Sequence, residues 1–334
     1  MIIMHTLSVL LLYKISNKYL PSLRDRLWLV LVFVLLPGVI SSAILVDSAG
    51  LVIFGLLLFT YLYDRYPKKY IYIILSLYIV IDAGFVYLFL ALIIFAIYNK
   101  DKVFFLFNTI ALSISVYIYG IEIKGVPTGY FLDAIAVYSA IFTPVVFVYI
   151  FYSLYRKYLN KDIDILWFIS SVVFIFSLII SFRQRVALEH FAPYLILALP
   201  LAAQTFYHSY RVRLKIFRTR YKLVFIVALI LLVINSITVL FNKELYYFMN
   251  KPQNHFAYKM HVAKELANEL KSRGIRCVQT EHRMSNRLKF YGITNCTSYT
   301  LIENDLKKGA KSNVTISYKN RAVYIANVTE INTN

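Results

Sequence analysis

Hydrophobic positions run in long blocks, parted by short polar stretches that are mostly basic. The blocks fall at about residues 1–15, 27–46, 49–63, 70–81, 84–98, 103–120, 134–155, 164–181, 191–208 and 222–241. A membrane-crossing helix needs roughly 20 apolar residues, and several blocks approach that length. The pattern predicts an all-α polytopic membrane domain of about nine or ten helices over 1–241. Pro37, Pro144, Pro193 and Pro200 lie inside blocks, where membrane helices tolerate kinks.

Residues 70–98 form either one long helix or two short ones broken at Asp82-Ala-Gly84. Basic residues decide between them, because they gather in cytoplasmic loops. With two helices, the stretches 14–26, 64–69, 99–102, 156–163 and 209–222 share one side and carry eighteen Lys and Arg. The other side then holds only Lys124, Arg183 and Arg185. With one helix, the early basic loops fall on the wrong side. A hairpin with Asp82 near the outer face is therefore expected, with the N-terminus and the tail both outside. Asp47, Asp82, Glu122 and Asp133 also fall at outer ends, where a carboxylate is either solvated or functional.

The pattern changes after residue 241. Met260, Ala263, Ala267 and Leu270 recur at helical spacing, and Gly274 is placed as a stop. Residues 275–280, 299–302, 314–318 and 322–328 read as strands, and 281–290 as a second helix. Residues 242–334 are thus expected to form a small soluble α/β domain outside the membrane. Cys277 and Cys296 would lie on or near neighbouring strands, either as a disulfide in an oxidising compartment or as two buried thiols. Asn295, Asn313 and Asn327 each begin an Asn-X-Ser/Thr triplet, a pattern common by chance.

Composition agrees with the membrane reading. The chain has 334 residues, 60% hydrophobic, and its mean hydropathy is +0.64. Its 29 Tyr and 25 Phe suit interfacial belts. A net charge of +19 would suggest nucleic acid in a soluble protein, but here the basic residues sit in short loops between spans, so no nucleic-acid partner is expected. Two cysteines exclude a cysteine-rich metal site. There is no Gly-rich phosphate loop, His-Glu-x-x-His or nucleophile elbow.

What remains is an outward-facing set: Asp47, Asp82, Asp133, Arg183, Arg185, Glu189 and His190. Carboxylates act as general bases or hold a metal. Arginine forks match phosphate oxygens, although an arginine at a helix end also simply snorkels. Such a face suits a substrate with its phosphate among the headgroups and its tail in lipid.

This pattern resembles the GT-C superfamily of membrane glycosyltransferases, chiefly the family 39-like branch of protein mannosyltransferases and the lipid A aminoarabinose transferase. Leu11-Leu-Tyr-Lys-Ile-Ser-Asn-Lys18, followed by Leu27–Ile40 with Pro37, is similar to the family's second span and the helix after it. Ser42-Ala-Ile-Leu-Val-Asp47 resembles the segment where an Asp precedes a short helix. The 70–98 hairpin resembles the family's pair of short helices, and Arg185–Ala203, with His190, Pro193 and Pro200, resembles its late loop and span. One departure is that the chain begins at the equivalent of the second span, without the first outer loop and its catalytic acid.

The resemblance implies transfer of a sugar from a polyprenyl-phosphate-linked donor in the membrane lipid to a glycan, lipid or protein acceptor at the outer face of the inner (cytoplasmic) membrane. Asp47 or Asp82 would be the catalytic acid, and Arg183, Arg185 and His190 would bind phosphate. A divalent metal is a candidate cofactor. The alternative is a non-enzymatic membrane protein, either a transporter or flippase of lipid-linked sugars or an inactive relative.

Overall fold

A computed structural model describes residues 2–44, 48–120, 129–249, 252–255, 257–303, 314–319 and 321–330. The chain divides into two compact units, Met1–Val239 and Leu240–Asn334.

The first unit is helical: α1 (Ile2–Ser16), α2 (Leu23–Leu35), α3 (Pro37–Ile44), α4 (Ala49–Arg65), α5 (Lys68–Ile81), α6 (Val86–Tyr98), α7 (Lys102–Tyr119), α8 (Phe131–Phe142), α9 (Pro144–Leu159), α10 (Ile165–Ser181), α11 (Leu188–Ile196), α12 (Leu199–Val212) and α13 (Lys215–Leu240). The expected break in 70–98 is present. Asp82 is extended, its carboxylate accepts from the Gly84 N–H, and a 3-10 turn at Ala83–Phe85 leads into α6. Aspartates also start α7 and α10, where Asp101 and Asp164 accept from the N–H groups of Phe104 and Trp167. Arg156 and Lys157 sit in the last turn of α9, where a cation faces the negative helix end.

Two of the prolines do more than kink. Pro37 and Pro144 cut expected single spans into helix pairs bent by 55° and 105°. Proline removes an amide donor and disfavours helix in the residue before it. Thr143, just before Pro144, leaves helical geometry, at φ +64°.

Among the described residues, two helices are long and apolar enough to cross a membrane, Lys102–Tyr119 and Lys215–Leu240, or up to four if each bent pair is one span. This is fewer than the nine or ten expected. Helices of 13 to 17 residues such as α6 and α4 reach only about 20–26 Å, short of a hydrocarbon core of about 30 Å.

One continuous core runs through this unit, centred on α4, α6, α10 and α11, with Leu56, Phe59, Leu88, Leu92, Ile169 and Tyr194 almost fully buried. Two close approaches bind its hairpin to α4. The Tyr78 hydroxyl donates to the Gly55 carbonyl (2.8 Å), and Phe85 stacks on Tyr78 (4.2 Å). A Cβ on Gly55 would lie 2.5 Å from the Phe85 ring, so only glycine fits there.

The second unit holds α14 (Leu245–Phe248), α15 (Tyr258–Ser272), α16 (His282–Phe290) and a sheet of β1 (Tyr299–Glu303), β2 (Val314–Tyr318) and β3 (Arg321–Glu330). The sheet is antiparallel, in the order β1-β3-β2, with Leu301 opposite Val328 and Val314 opposite Ala326. Its core joins Val262, Leu266 and Leu270 of α15 to Leu288, Leu301 and Tyr324. Gly274, at φ +79°, ends α15 in the left-handed conformation that glycine adopts readily.

The strand expected over 275–280 does not form. Cys277 and Gln279 make single bridges to Thr294 and Thr300. These partners lie on separate segments, so no ladder extends. Cys277 and Cys296 are joined as a disulfide, with Cα atoms 5.4 Å apart. Asn313 lies outside the described residues.

Candidate functional site

The first unit has two chemically different ends, and side-chain contacts define one of them. Lys18 pairs with Asp64 at 2.8 Å, and Lys68 with Asp101. The Tyr19 hydroxyl donates to Asp164 (2.5 Å), and Lys157 lies over the Tyr19 ring. Arg211 pairs with Asp25 (2.6 Å), and Arg156 donates to Ser209 (2.7 Å). All five basic stretches are therefore tied to one another at one end of the bundle. The carboxylates there offset part of the like charge of these loops.

The opposite end is where the break after α5, the start of α8 and the loop 182–187 meet. The Tyr119 hydroxyl donates to the Val80 carbonyl (2.6 Å), and the rings of Phe131 and Phe182 stack at 4.7 Å. Tyr194 of α11 donates to the Gly84 carbonyl at 2.5 Å, and Phe191 packs on Tyr87 at 4.0 Å. These contacts seat α11 against the hairpin. His190 lies four residues before Tyr194, on the same helix face and one turn nearer the loop.

Each residue expected to act can now be placed. Asp82 is half-buried at the hairpin break, with one carboxylate oxygen engaged by the Gly84 amide. Arg183 and Arg185 are exposed and form no ion pair among the described residues. His190 is half-buried, and its Nδ1 is buried without a hydrogen-bond partner among the described residues. Asp133 and Glu189 are exposed. Asp47 lies outside the described residues, as does Glu122. Asp82, His190 and the two arginines therefore share one end.

Two further polar groups lie in this half, His5 and Tyr194. His5 of α1 is buried, with Nε2 3.4 Å from the Ser42 hydroxyl and Nδ1 unpartnered among the described residues. Tyr194 is fully buried and holds the hairpin through its hydroxyl. The signal for His5 was an ionisable residue inside an apolar block, which is costly unless it has a role. For Tyr194 no such signal exists, since 29 tyrosines are scattered along the chain.

Among the described residues, no group of three or more His, Cys, Asp or Glu is placed to hold a metal ion. The candidate divalent metal therefore has no ligand set among them.

Comparison with protein-family models, with curated proteins and with solved structures returns no match.

Proposed function

We propose that the chain is a multi-pass membrane glycosyltransferase that takes a sugar from a polyprenyl-phosphate donor and passes it to an acceptor at the outer face of the cytoplasmic membrane. One observation carries the reading. Arg183 and Arg185 stand exposed, with no ion pair among the described residues, at the end remote from the basic loops, the end that also carries Asp82 and His190. Two free guanidinium groups match a phosphate through charge-assisted hydrogen bonds. The positive-inside rule makes the basic end cytoplasmic, so the arginine end faces outward. The Cys277–Cys296 disulfide fits a tail in an oxidising compartment.

In this reading the bond from the sugar's anomeric carbon to the phosphate oxygen breaks, and a bond to an acceptor hydroxyl oxygen forms. The acceptor proton passes to a carboxylate. Polyprenyl phosphate leaves with its charge held by Arg183 and Arg185. Asp82 keeps one carboxylate oxygen outside its bond to Gly84, and Asp47 is the other candidate base from the sequence.

The alternative, a non-enzymatic carrier or inactive relative, is favoured by the same capping bond, which gives Asp82 a structural duty. Both are tested with the full chain in lipid nanodiscs. Wild type should bind polyprenyl phosphate at least ten-fold more tightly than polyprenol, and Arg185→Ala should erase that preference while the protein stays folded. Equal binding of the two lipids by wild type contradicts a phosphate site. Incubation with polyprenyl-phosphate sugars extracted from membranes should release free polyprenyl phosphate; binding without release selects the carrier reading.

A further inference from the structure

A second feature lies at the basic end and is not used by the transfer reading. An apolar cleft opens between α2, α9, α12 and α13. Helix α13 lines it with Tyr221, Val224, Phe225, Ala228, Leu229 and Leu232. These recur at helical spacing, so one face of the helix looks into the cleft from Tyr221 to Leu232. From Tyr221 to Leu232 is about 16 Å at 1.5 Å per residue. That is close to half of a hydrocarbon core of about 30 Å, the depth of one leaflet.

The two ends of the cleft differ. Around Leu232 its walls are aliphatic. At the other end the hydroxyls of Tyr149 and Tyr221, both lining residues, bond each other at 2.7 Å. The Arg213 guanidinium lies 4.2 Å over the Tyr221 ring. Arg218 donates to the carbonyl oxygens of Arg213 and Arg211, both at 2.8 Å, and so holds the turn that carries Arg213. Arg213, Lys215 and Lys222 are exposed and form no ion pair among the described residues. Asp25, which shares this end, is already paired with Arg211. The mouth thus carries uncompensated positive charge above an apolar slot one leaflet deep, with tyrosine hydroxyls at the boundary, as interfacial aromatics are placed.

We infer that this cleft is a binding site for an anionic phospholipid of the cytoplasmic leaflet, with an acyl chain between α2, α9, α12 and α13 and the headgroup phosphate on Arg213 and Lys222. Charge complementarity selects an anionic lipid over a zwitterionic one, since basic residues at the cytoplasmic face are drawn to anionic headgroups. The inference rests on the membrane reading of α13 and is independent of sugar transfer.

Trp28 lines the cleft and supplies the probe. The full chain is reconstituted with increasing mole fractions of brominated phosphatidylglycerol or brominated phosphatidylcholine. The quenching lost in Trp28→Phe isolates the emission of Trp28 from that of Trp167. Half-quenching should need at least three-fold less phosphatidylglycerol than phosphatidylcholine. Arg213→Gln with Lys222→Gln should remove the difference, and Ala203→Phe, which narrows the slot and keeps the charges, should weaken quenching by phosphatidylglycerol. Equal quenching by the two lipids, or a preference that survives both sets of substitutions, overturns the site. So does Trp28 shielding that tracks self-association of the chain rather than lipid composition, which would mean that a second copy fills the cleft.

Discussion

The Tyr194 hydroxyl donates to the Gly84 carbonyl at 2.5 Å, joining α11 to the hairpin break across 110 positions of the chain. The tyrosine is buried, and Ser170 donates to its own carbonyl at 3.1 Å. Through this pair α11, which carries His190, is held to the hairpin break that follows Asp82. A buried carbonyl that loses its donor keeps its desolvation cost, about 1–3 kcal/mol. Tyr194→Phe should therefore lower the midpoint of thermal unfolding measurably and reduce polyprenyl-phosphate binding, while leaving the bundle helical by circular dichroism. An unchanged midpoint would mean that the hydrogen bond does not hold the hairpin.

The second unit carries a pH dependence. His261 bonds the Tyr246 hydroxyl through Nδ1 at 3.1 Å, beside His255. Burial first, then the neighbouring His255 and Lys243, lowers its pKa from 6.5 to about 4. Burial also lowers His255. Between about 4 and 6.5 the unfolded chain binds more protons than the folded one. Stability thus rises with pH across that window and is lost as pH falls through it. Hydrogen-exchange protection of α15, corrected for intrinsic rates, should fall between pH 7 and pH 4.5. His261→Gln should flatten the fall; an equal fall in the variant would assign it elsewhere.

The disulfide closes a loop between residues 19 apart in sequence. Chain entropy alone makes a crosslink of that span contribute about 3 kcal/mol. In the intact protein, Cys277→Ser with Cys296→Ser should speed limited proteolysis of residues 275–303 without altering the helical unit. Thiol reagents should label wild type only after reduction. Labelling without reductant would contradict the pairing.

Much of the architecture was legible because it rests on local rules. The break at Asp82–Gly84 followed from charge asymmetry among short loops, and the end of α15 from Gly274. The structure ties together the same five basic stretches that the charge count grouped. Pro37 and Pro144 were visible, but their effect was underestimated, because a proline's consequence depends on whether neighbours support the freed carbonyls. The strand at 275–280 was over-read because β pattern alone does not name a partner, and its partners lie on two different segments. The Tyr194–Gly84 bond and the cleft beside α13 depend on long-range packing, which leaves no period in the sequence. The site is legible only in part. Arg183, Arg185, His190 and Asp82 come to one end, whereas Asp47 lies outside the described residues.

The two-ended bundle is the central claim, and site-directed thiol labelling tests it most directly. Both native cysteines are paired, so a single introduced cysteine is the only target. Ala187 and Lys69 are exposed at opposite ends. In intact cells a membrane-impermeant maleimide should label Ala187→Cys at once, and Lys69→Cys only after the membrane is opened. Labelling of both from the same side, or in the reverse order, would contradict the account.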